Sequence, residues 1–199
     1  MCSIRIPSAR KKRRIRKELA ALPPRWEKLF EDETDLLLFP PLRSAWGLRG
    51  QPLEVPISGR NARRVIFGAM NINTGYRLFL PRERQRGEDF RAFLQLIANH
   101  YRGWQVALVL DEDTSHTARA SQELAGQLGM RLIWLPTRCP ELNGMDHLWG
   151  HGKDHMCANK QYETIDGEAE RFIQYLEDLS NWEALCQAGI LSENFWLRV

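Results

Sequence analysis

The chain has 199 residues, 43% of them hydrophobic and 27% charged, the proportions of one soluble domain whose core needs no disulfide or metal staple. Its longest purely apolar runs, such as Val106–Leu110, fall far short of the ~20 residues that cross a bilayer, and the start MCSIRIPSARKKRR lacks the apolar stretch of a secretory signal. The net charge of +3 is unevenly spread: +8 over residues 1–25, +3 over 26–110 and −8 over 111–199. A basic head on an acidic body points to a polyanionic partner, or to a solvated basic tail. Cys2, Cys139, Cys157 and Cys186 form no CxxC pair and read as reduced thiols of a cytosolic chain.

The basic residues 10–22 suggest a short helix or arm, ended by Pro23-Pro24, since proline cannot continue a helix and pushes its predecessor out of α space. A basic arm over 1–25 and a domain over 26–199 are therefore expected. A short strand over 28–33 runs into acids. Residues 40–60, with four Pro and three Gly, read as a loop. Two β-rich runs flank Asn73-Thr74-Gly75, a hairpin signal. Phe90, Phe93, Leu94 and Ile97 lie at helical spacing within 87–102. Gln105–Leu110 is a continuous apolar run, as in a strand buried on both faces. A helix over 116–128, closed by Gly129, a strand over Met130–Leu135, and helices over 145–158 and 165–187 complete the chain. A meander of strands followed by alternating strands and helices implies an α/β fold with a mixed five-stranded sheet and helices on both faces. The ribonuclease-H-like architecture fits that order.

Three acids stand where strands end or helices begin: Asp32, Asp111 and Asp146. Ligand sites of open α/β sheets form beyond the carboxyl ends of strands. Converging carboxylates there repel unless cations join them, and oxygen-rich sites suit Mg²⁺ or Mn²⁺. The plainer reading is that each acid caps a helix; Asp111 is followed by Glu112, Asp113, Thr114 and Ser115, any of which could also cap.

FEDETDL, LVLDEDTSH and CPELNGMDHLWGHGK resemble the three acidic motifs of DDE-type transposases of the mariner-like insertion-sequence group. Matched residue by residue, the triad falls on Asp32, Asp111 and Asp146, with 34 residues between the last two. Trp46 with Gly50, Thr74-Gly75, His116 and the ending SNWEALCQAGILSENFW are similar too, and the resemblance spans about residues 10–199. Glu112 stands where the family has Asn, and Gly144 where it has Pro, which implies a looser start to the last motif's helix. The resemblance implies a catalytic domain over 26–199 that cleaves DNA phosphodiesters at element ends and transfers the freed 3′-hydroxyl. It further implies two Mg²⁺ (or Mn²⁺) ions, one between Asp32 and Asp111 and a second completed by Asp146. Double-stranded DNA of element ends and target, a homodimer on DNA and a cytoplasmic, nucleoid-associated setting follow. The family's upstream helix-turn-helix region has no counterpart in these residues, so a catalytic half is expected.

Lys11, Lys12, Arg13 and Arg14 of the basic head are expected to contact DNA. Lys153 shares a helix face with Asp146 and Trp149 and suits a flanking phosphate, or else is a solvated lysine; Trp149 reads as core. His147, His151 and His155 recur every four residues, a spacing that can bind zinc, but no HExxH glutamate accompanies them and Gly150 and Gly152 interrupt. Arg60, Arg63 and Arg64 could track a phosphate backbone or form a solvated cluster. Glu33, Glu112 and Asp113 are taken as acids supporting the triad, and His116 as orienting a water or phosphate or contacting a helix start. Rival readings are another ribonuclease-H-like nuclease, which would lack the LNGMDHLW helix start, and a non-catalytic remnant that binds DNA or protein.

Overall fold

The apolar runs and the turn between them set the sheet. A computed structural model of the chain describes residues 9–52, 54–137 and 139–197. Strands β1 (Trp26–Leu37), β2 (Arg63–Asn71), β3 (Arg77–Arg82), β4 (Gln105–Leu110) and β5 (Met130–Trp134) form one sheet in the order β3-β2-β1-β4-β5. β1, β2 and β3 pair antiparallel, while β4 runs parallel to both β1 and β5. At the β2–β3 turn the Asn71 side chain accepts from the amides of Asn73 and Thr74. Gly75 follows at φ +75, with the Asn181 carbonyl where a Cβ would sit.

Helices α1 (Ala9–Ala20), α2 (Gly87–His100), α3 (Thr114–Thr117), α4 (Arg119–Gln127), α5 (Gly144–Met156), α6 (Ile165–Asp178) and α7 (Asn181–Gln187) cover this sheet. The pleat sends alternate residues to opposite faces. Leu29, Phe67 and Leu108 meet Phe90, Phe93 and Ile97 of α2 on one side. Phe30, Met70 and Val109 meet Met145 and Trp149 of α5 and Phe172 of α6 on the other. The sheet is thus mixed, with helices on both faces as expected, and Trp149 is core. Cys139 and Cys157 are buried free thiols and Cys186 is a free thiol; Cys2 lies outside the described residues.

Four local expectations change. β1 runs on to Leu37, because Thr34 and Leu36 alternate inward and β2 pairs with it as far as Arg63; Asp32 is therefore inside the strand rather than at its end. The helix over 116–128 is two, α3 and α4, broken at Ala118 where ψ is 134. The helix over 165–187 breaks at Leu179, and Ser180 starts α7 in a reciprocal cap with Glu183. The basic segment is seated on the body: Ile15, Leu19 and Leu22 enter the core, Arg16 donates to the Trp196 carbonyl and Glu18 pairs with Arg131. Its apolar stripe is buried while Lys11, Arg13 and Arg14 stay exposed.

Gly68 faces Asp32 across the β1–β2 ladder. A Cβ at this position would overlap the Trp149 ring and the Met145 methyl, so the missing side chain is what lets α5 close onto the sheet. Gly68→Ala is expected to cost about 1–3 kcal/mol, as overpacking of a filled core does. Urea denaturation measures it; an unchanged midpoint would show that Trp149 and Met145 give way freely.

Candidate active site

The backbone ladder between β1 and β4 ends at Phe30 opposite Val109. Two residues further along each strand stand Asp32 and Asp111, and the two-residue repeat puts them on the α5 side, beyond the parallel pairing. β5 leads through Leu135 and Pro136 to a 3-10 turn at Pro140–Leu142 and then to α5, whose first turn carries Asp146. Asp32, Asp111 and Asp146 line one pocket of about 220 Å³, together with Glu33, Asn143, Pro136, Pro140 and Cys139. The pocket lies off the carboxyl ends of β4 and β5, where open α/β sheets place ligands.

None of the three aspartates is a helix cap. Asn143 caps α5, its Oδ1 accepting from the Met145 amide at 3.1 Å. Its Nδ2 donates to the Glu31 carbonyl at 2.7 Å, so one side chain starts the helix and ties it to β1 beside Asp32. Gly144, buried against Phe30 and Ile190, leaves little room even for a methyl; the helix start is packed and anchored rather than loose. Asp113 caps α3, accepting from the Ser115 amide at 2.8 Å and its hydroxyl at 2.7 Å, which commits it to that turn. Asp111 accepts the Asp113 amide at 3.0 Å and the His116 Nδ1–H at 3.0 Å through the same oxygen, Oδ1.

Burial, then the charges of Glu33, Asp146 and Asp111, hold the Asp32 carboxyl well above the usual carboxylate range. Asp111 goes the other way: its hydrogen bond from His116 lowers it, against partial desolvation. Burial and Glu33 raise Glu31, a fully buried carboxylate whose two oxygens find no hydrogen bond among the described residues. Burial alone would lower His116, but the Glu31 charge and hydrogen bonds to Asp111 and Glu33 raise it to about 12.

The other expected residues distribute as follows. Lys153 lies over a neighbouring pocket of about 310 Å³ with Asp35 and Cys157; burial lowers its ammonium while Asp35, Cys157, Asp146 and Asp32 oppose the shift. Lys11 and Lys12 of α1 act electrostatically on Cys139, which lines the acidic pocket. Arg63 pairs with Asp35 and Arg64 with Asp166. His151 meets the Tyr175 hydroxyl at 2.8 Å, and His155 packs on it at 4.2 Å between ring centroids. Among the described residues the His/Cys/Asp/Glu group whose ligand atoms all converge within 4.8 Å is Glu31, Glu33 and His116, not the helical histidines. Sequence reasoning missed Asn143 and Glu31. The first was readable as an Asn immediately before a helix. The second carried no signal, because an inward acid inside a strand looks like any other.

Asn143→Ala removes both the α5 cap and the tie to β1. It is expected to cost about 1–3 kcal/mol, the range for a lost cap plus an orphaned buried carbonyl. Guanidinium unfolding reads this out; a loss below about 0.5 kcal/mol would mean that water replaces the side chain at both groups.

Residues 27–167 match the family described as DDE superfamily endonuclease. The "Insertion element IS630 uncharacterized 39 kDa protein" of Shigella sonnei is 27% identical over 153 residues, covering 76% of this chain and 45% of that protein. The chain thus spans less than half the length of that relative. The catalytic domain of Mos1 mariner transposase superposes at a TM-score of 0.61 and 14% identity, covering 94% of this chain and 91% of that one. The Mos1 strand transfer complex gives 0.71 at 15% identity, covering 94% and 57%. A Mos1 paired end complex with Mn gives 0.69 at 16%, covering 94% and 59%. These likenesses identify the fold as ribonuclease-H-like, in agreement with the strand order. With the family match over residues 27–167, the chain belongs to the DDE superfamily endonucleases.

Proposed function

We propose that this chain is the catalytic domain of a transposase that cleaves DNA phosphodiesters at element ends and joins the freed 3′-hydroxyl to target DNA. The observation that carries this reading is the convergence of Asp32, Asp111 and Asp146 on one pocket. The donor set fits hard divalent ions: the three carboxylates offer only oxygen, and Asp111 Oδ2 accepts no hydrogen bond among the described residues. Burial, then the charges of Glu33, Asp146 and Asp111, pushes the Asp32 carboxyl well above the usual carboxylate range, a cost that a bound cation would relieve. Asp32 and Asp111 would hold one Mg²⁺ or Mn²⁺, and Asp146 would complete a second site. The chemistry such a pair supplies is activation of a water and stabilisation of the departing 3′ oxygen. In the first step a water oxygen bonds to phosphorus as the P–O3′ bond breaks, and the 3′ oxygen leaves as a hydroxyl. In the second, that 3′ oxygen bonds to a target phosphorus as the target P–O3′ bond breaks, and the proton it gives up ends on the departing target 3′ oxygen.

The rest of the chain binds. The exposed Lys11, Arg13 and Arg14 of α1, with the half-buried Lys12, supply salt-sensitive contacts to duplex DNA, next to the pocket wall at Cys139. Lys153 is placed to meet a phosphate flanking the scissile bond. Residues 26–199 form the catalytic domain, with α1 docked on it as a DNA-facing edge, and two copies act on paired ends. No helix among the described residues is long and apolar enough to cross a membrane, and the proposed setting is the nucleoid.

Asp32→Asn, Asp111→Asn and Asp146→Asn should each reduce Mg²⁺-dependent nicking of supercoiled plasmid by more than about 100-fold, beyond what loss of an outer partner of a metal site does. Asp32→Asn should also raise the metal-free melting temperature, since it removes a crowded carboxylate. A folded wild-type chain that nicks with neither Mg²⁺ nor Mn²⁺ would instead be a binding remnant. For the basic helix, changing Lys11, Lys12, Arg13 and Arg14 together to Gln avoids deleting core residues. It should lower the log–log salt slope of DNA binding by about 0.9 for each phosphate that is no longer neutralised; an unchanged slope would make α1 a structural element only.

A further inference from the structure

We infer that His116 is a positioning residue that sets the spacing of the metal-binding carboxylates by bridging β1 and β4 where their backbones no longer pair. The inference rests on the metal-dependent reading above. The ladder ends at Phe30 and Val109; past it, the imidazole is the rung. Nδ1 lies 3.0 Å from Asp111 Oδ1 on the β4 side, and Nε2 lies 2.9 Å from Glu33 Oε1 on β1. Nε2 is also 3.6 Å from Glu31 Oε2. The two ring nitrogens face carboxylates carried by two different strands, so the ring itself spans the gap between β1 and the end of β4.

The ring cannot swing away. It is 1% exposed and packs on Phe90 at 4.4 Å between centroids. The short α3 that carries it is held by the Asp113 cap and by the Ser121 hydroxyl on the Ser115 carbonyl at 2.7 Å. The consequence for Asp111 is specific. Oδ1 is occupied from behind by His116 and the Asp113 amide, while Oδ2 is left without a hydrogen bond among the described residues. A fixed carboxylate with one committed and one available oxygen is how an outer partner orients a metal ligand. Nε2 of the same ring faces Glu31 as well, within ion-pair but not hydrogen-bond distance.

The test is Mn²⁺ titration of the full chain by electron paramagnetic resonance, with folding checked by circular dichroism. Wild type should bind, Asp111→Asn should bind poorly, and His116→Asn should lose about 10- to 100-fold in affinity while folded. The Asn amide can still reach Asp111 but not Glu33, so the loss reports the bridge. Alongside, ¹⁵N spectra of wild type should show the His116 Nδ1–H resonance moving on Mg²⁺ addition, with the midpoint of metal binding. If His116→Asn fails to fold, this shift decides alone, and a resonance that stays put overturns the inference. Wild type that binds no Mn²⁺, or binding indifferent to Asp111→Asn, removes the metal reading and the inference with it. Binding that depends on Asp111 but is equally tight in folded His116→Asn overturns the inference alone. So does a nitrogen coupling to bound Mn²⁺ that His116→Asn abolishes, which would make the ring a ligand.

Discussion

Like charges crowd the end of the β1–β4 ladder: burial and then Glu33, Asp32 and Asp111 raise Glu31 against the pull of His116, and burial and then Glu33, Asp146 and Asp111 raise Asp32. Two unit charges 4 Å apart repel by about 4 kcal/mol at an effective dielectric of 20, and a whole domain is stable by only about 5–15 kcal/mol. The pleat divides the problem. Glu31 and Glu33 turn to the side of His116, where a buried cation meets both. Asp32 and Asp111 turn toward α5, and there they meet a third aspartate, Asp146, with Glu33 also on the pocket wall. One side has a basic partner within the chain, and the other, in the proposed reaction, takes its compensation from outside it.

Bringing Asp146 into that company requires α5 to lie close on the sheet. Large residues at its contact points would hold it off; at Gly68 on β2 the Trp149 ring and Met145 methyl occupy the Cβ space, and at Gly152 on the helix itself the Phe172 ring of α6 does. Asn143 then converts close approach into a fixed position, because its amide is shared between the first turn of α5 and the β1 backbone. The first and third aspartates are thereby tied through one side chain, and the first and second strands' carboxylates through another, His116. Two polar links, each between elements distant in sequence, define a pocket whose carboxylates come from three separate segments.

Much of this is legible in the sequence, and what is not has identifiable causes. β4 is legible with its observed bounds because a strand buried on both faces is a bare apolar run. β1 reads as short because its acids look like a strand end; the antiparallel pairing with β2, a tertiary fact, carries it to Leu37. The break at Ala118 has neither Gly nor Pro to announce it. The break before α7 is announced by Ser180 and Glu183, whose reciprocal cap is a known start signal. In α1, the dense basic residues hide Ile15, Leu19 and Leu22, whose spacing of four and three is an apolar stripe. Strand order and motif resemblance single out Asp32, Asp111 and Asp146, which line one pocket. The acids and histidine behind it are harder, since alternation says which way a side chain points but not that a histidine from a later turn will meet it.

The docking of α1 gives the uneven charge of the chain a spatial meaning. Its lysines act on the same Cys139 that walls the acidic pocket, so the basic head and the acidic site are neighbours. A DNA backbone approaching this surface meets opposed fields. Exposed Lys and Arg attract it over roughly a Debye length, ~8 Å at physiological salt, whereas a pocket of bare carboxylates repels it. In the proposed reaction the two are reconciled by the ions, which reverse the sign of the pocket at contact range while the helix acts further out. Affinity from the helix is screened by salt, and affinity at the pocket is far less so. Salt would therefore weaken DNA capture more than the chemistry of DNA already seated, a separation that follows from placing the two charge sets side by side rather than in one.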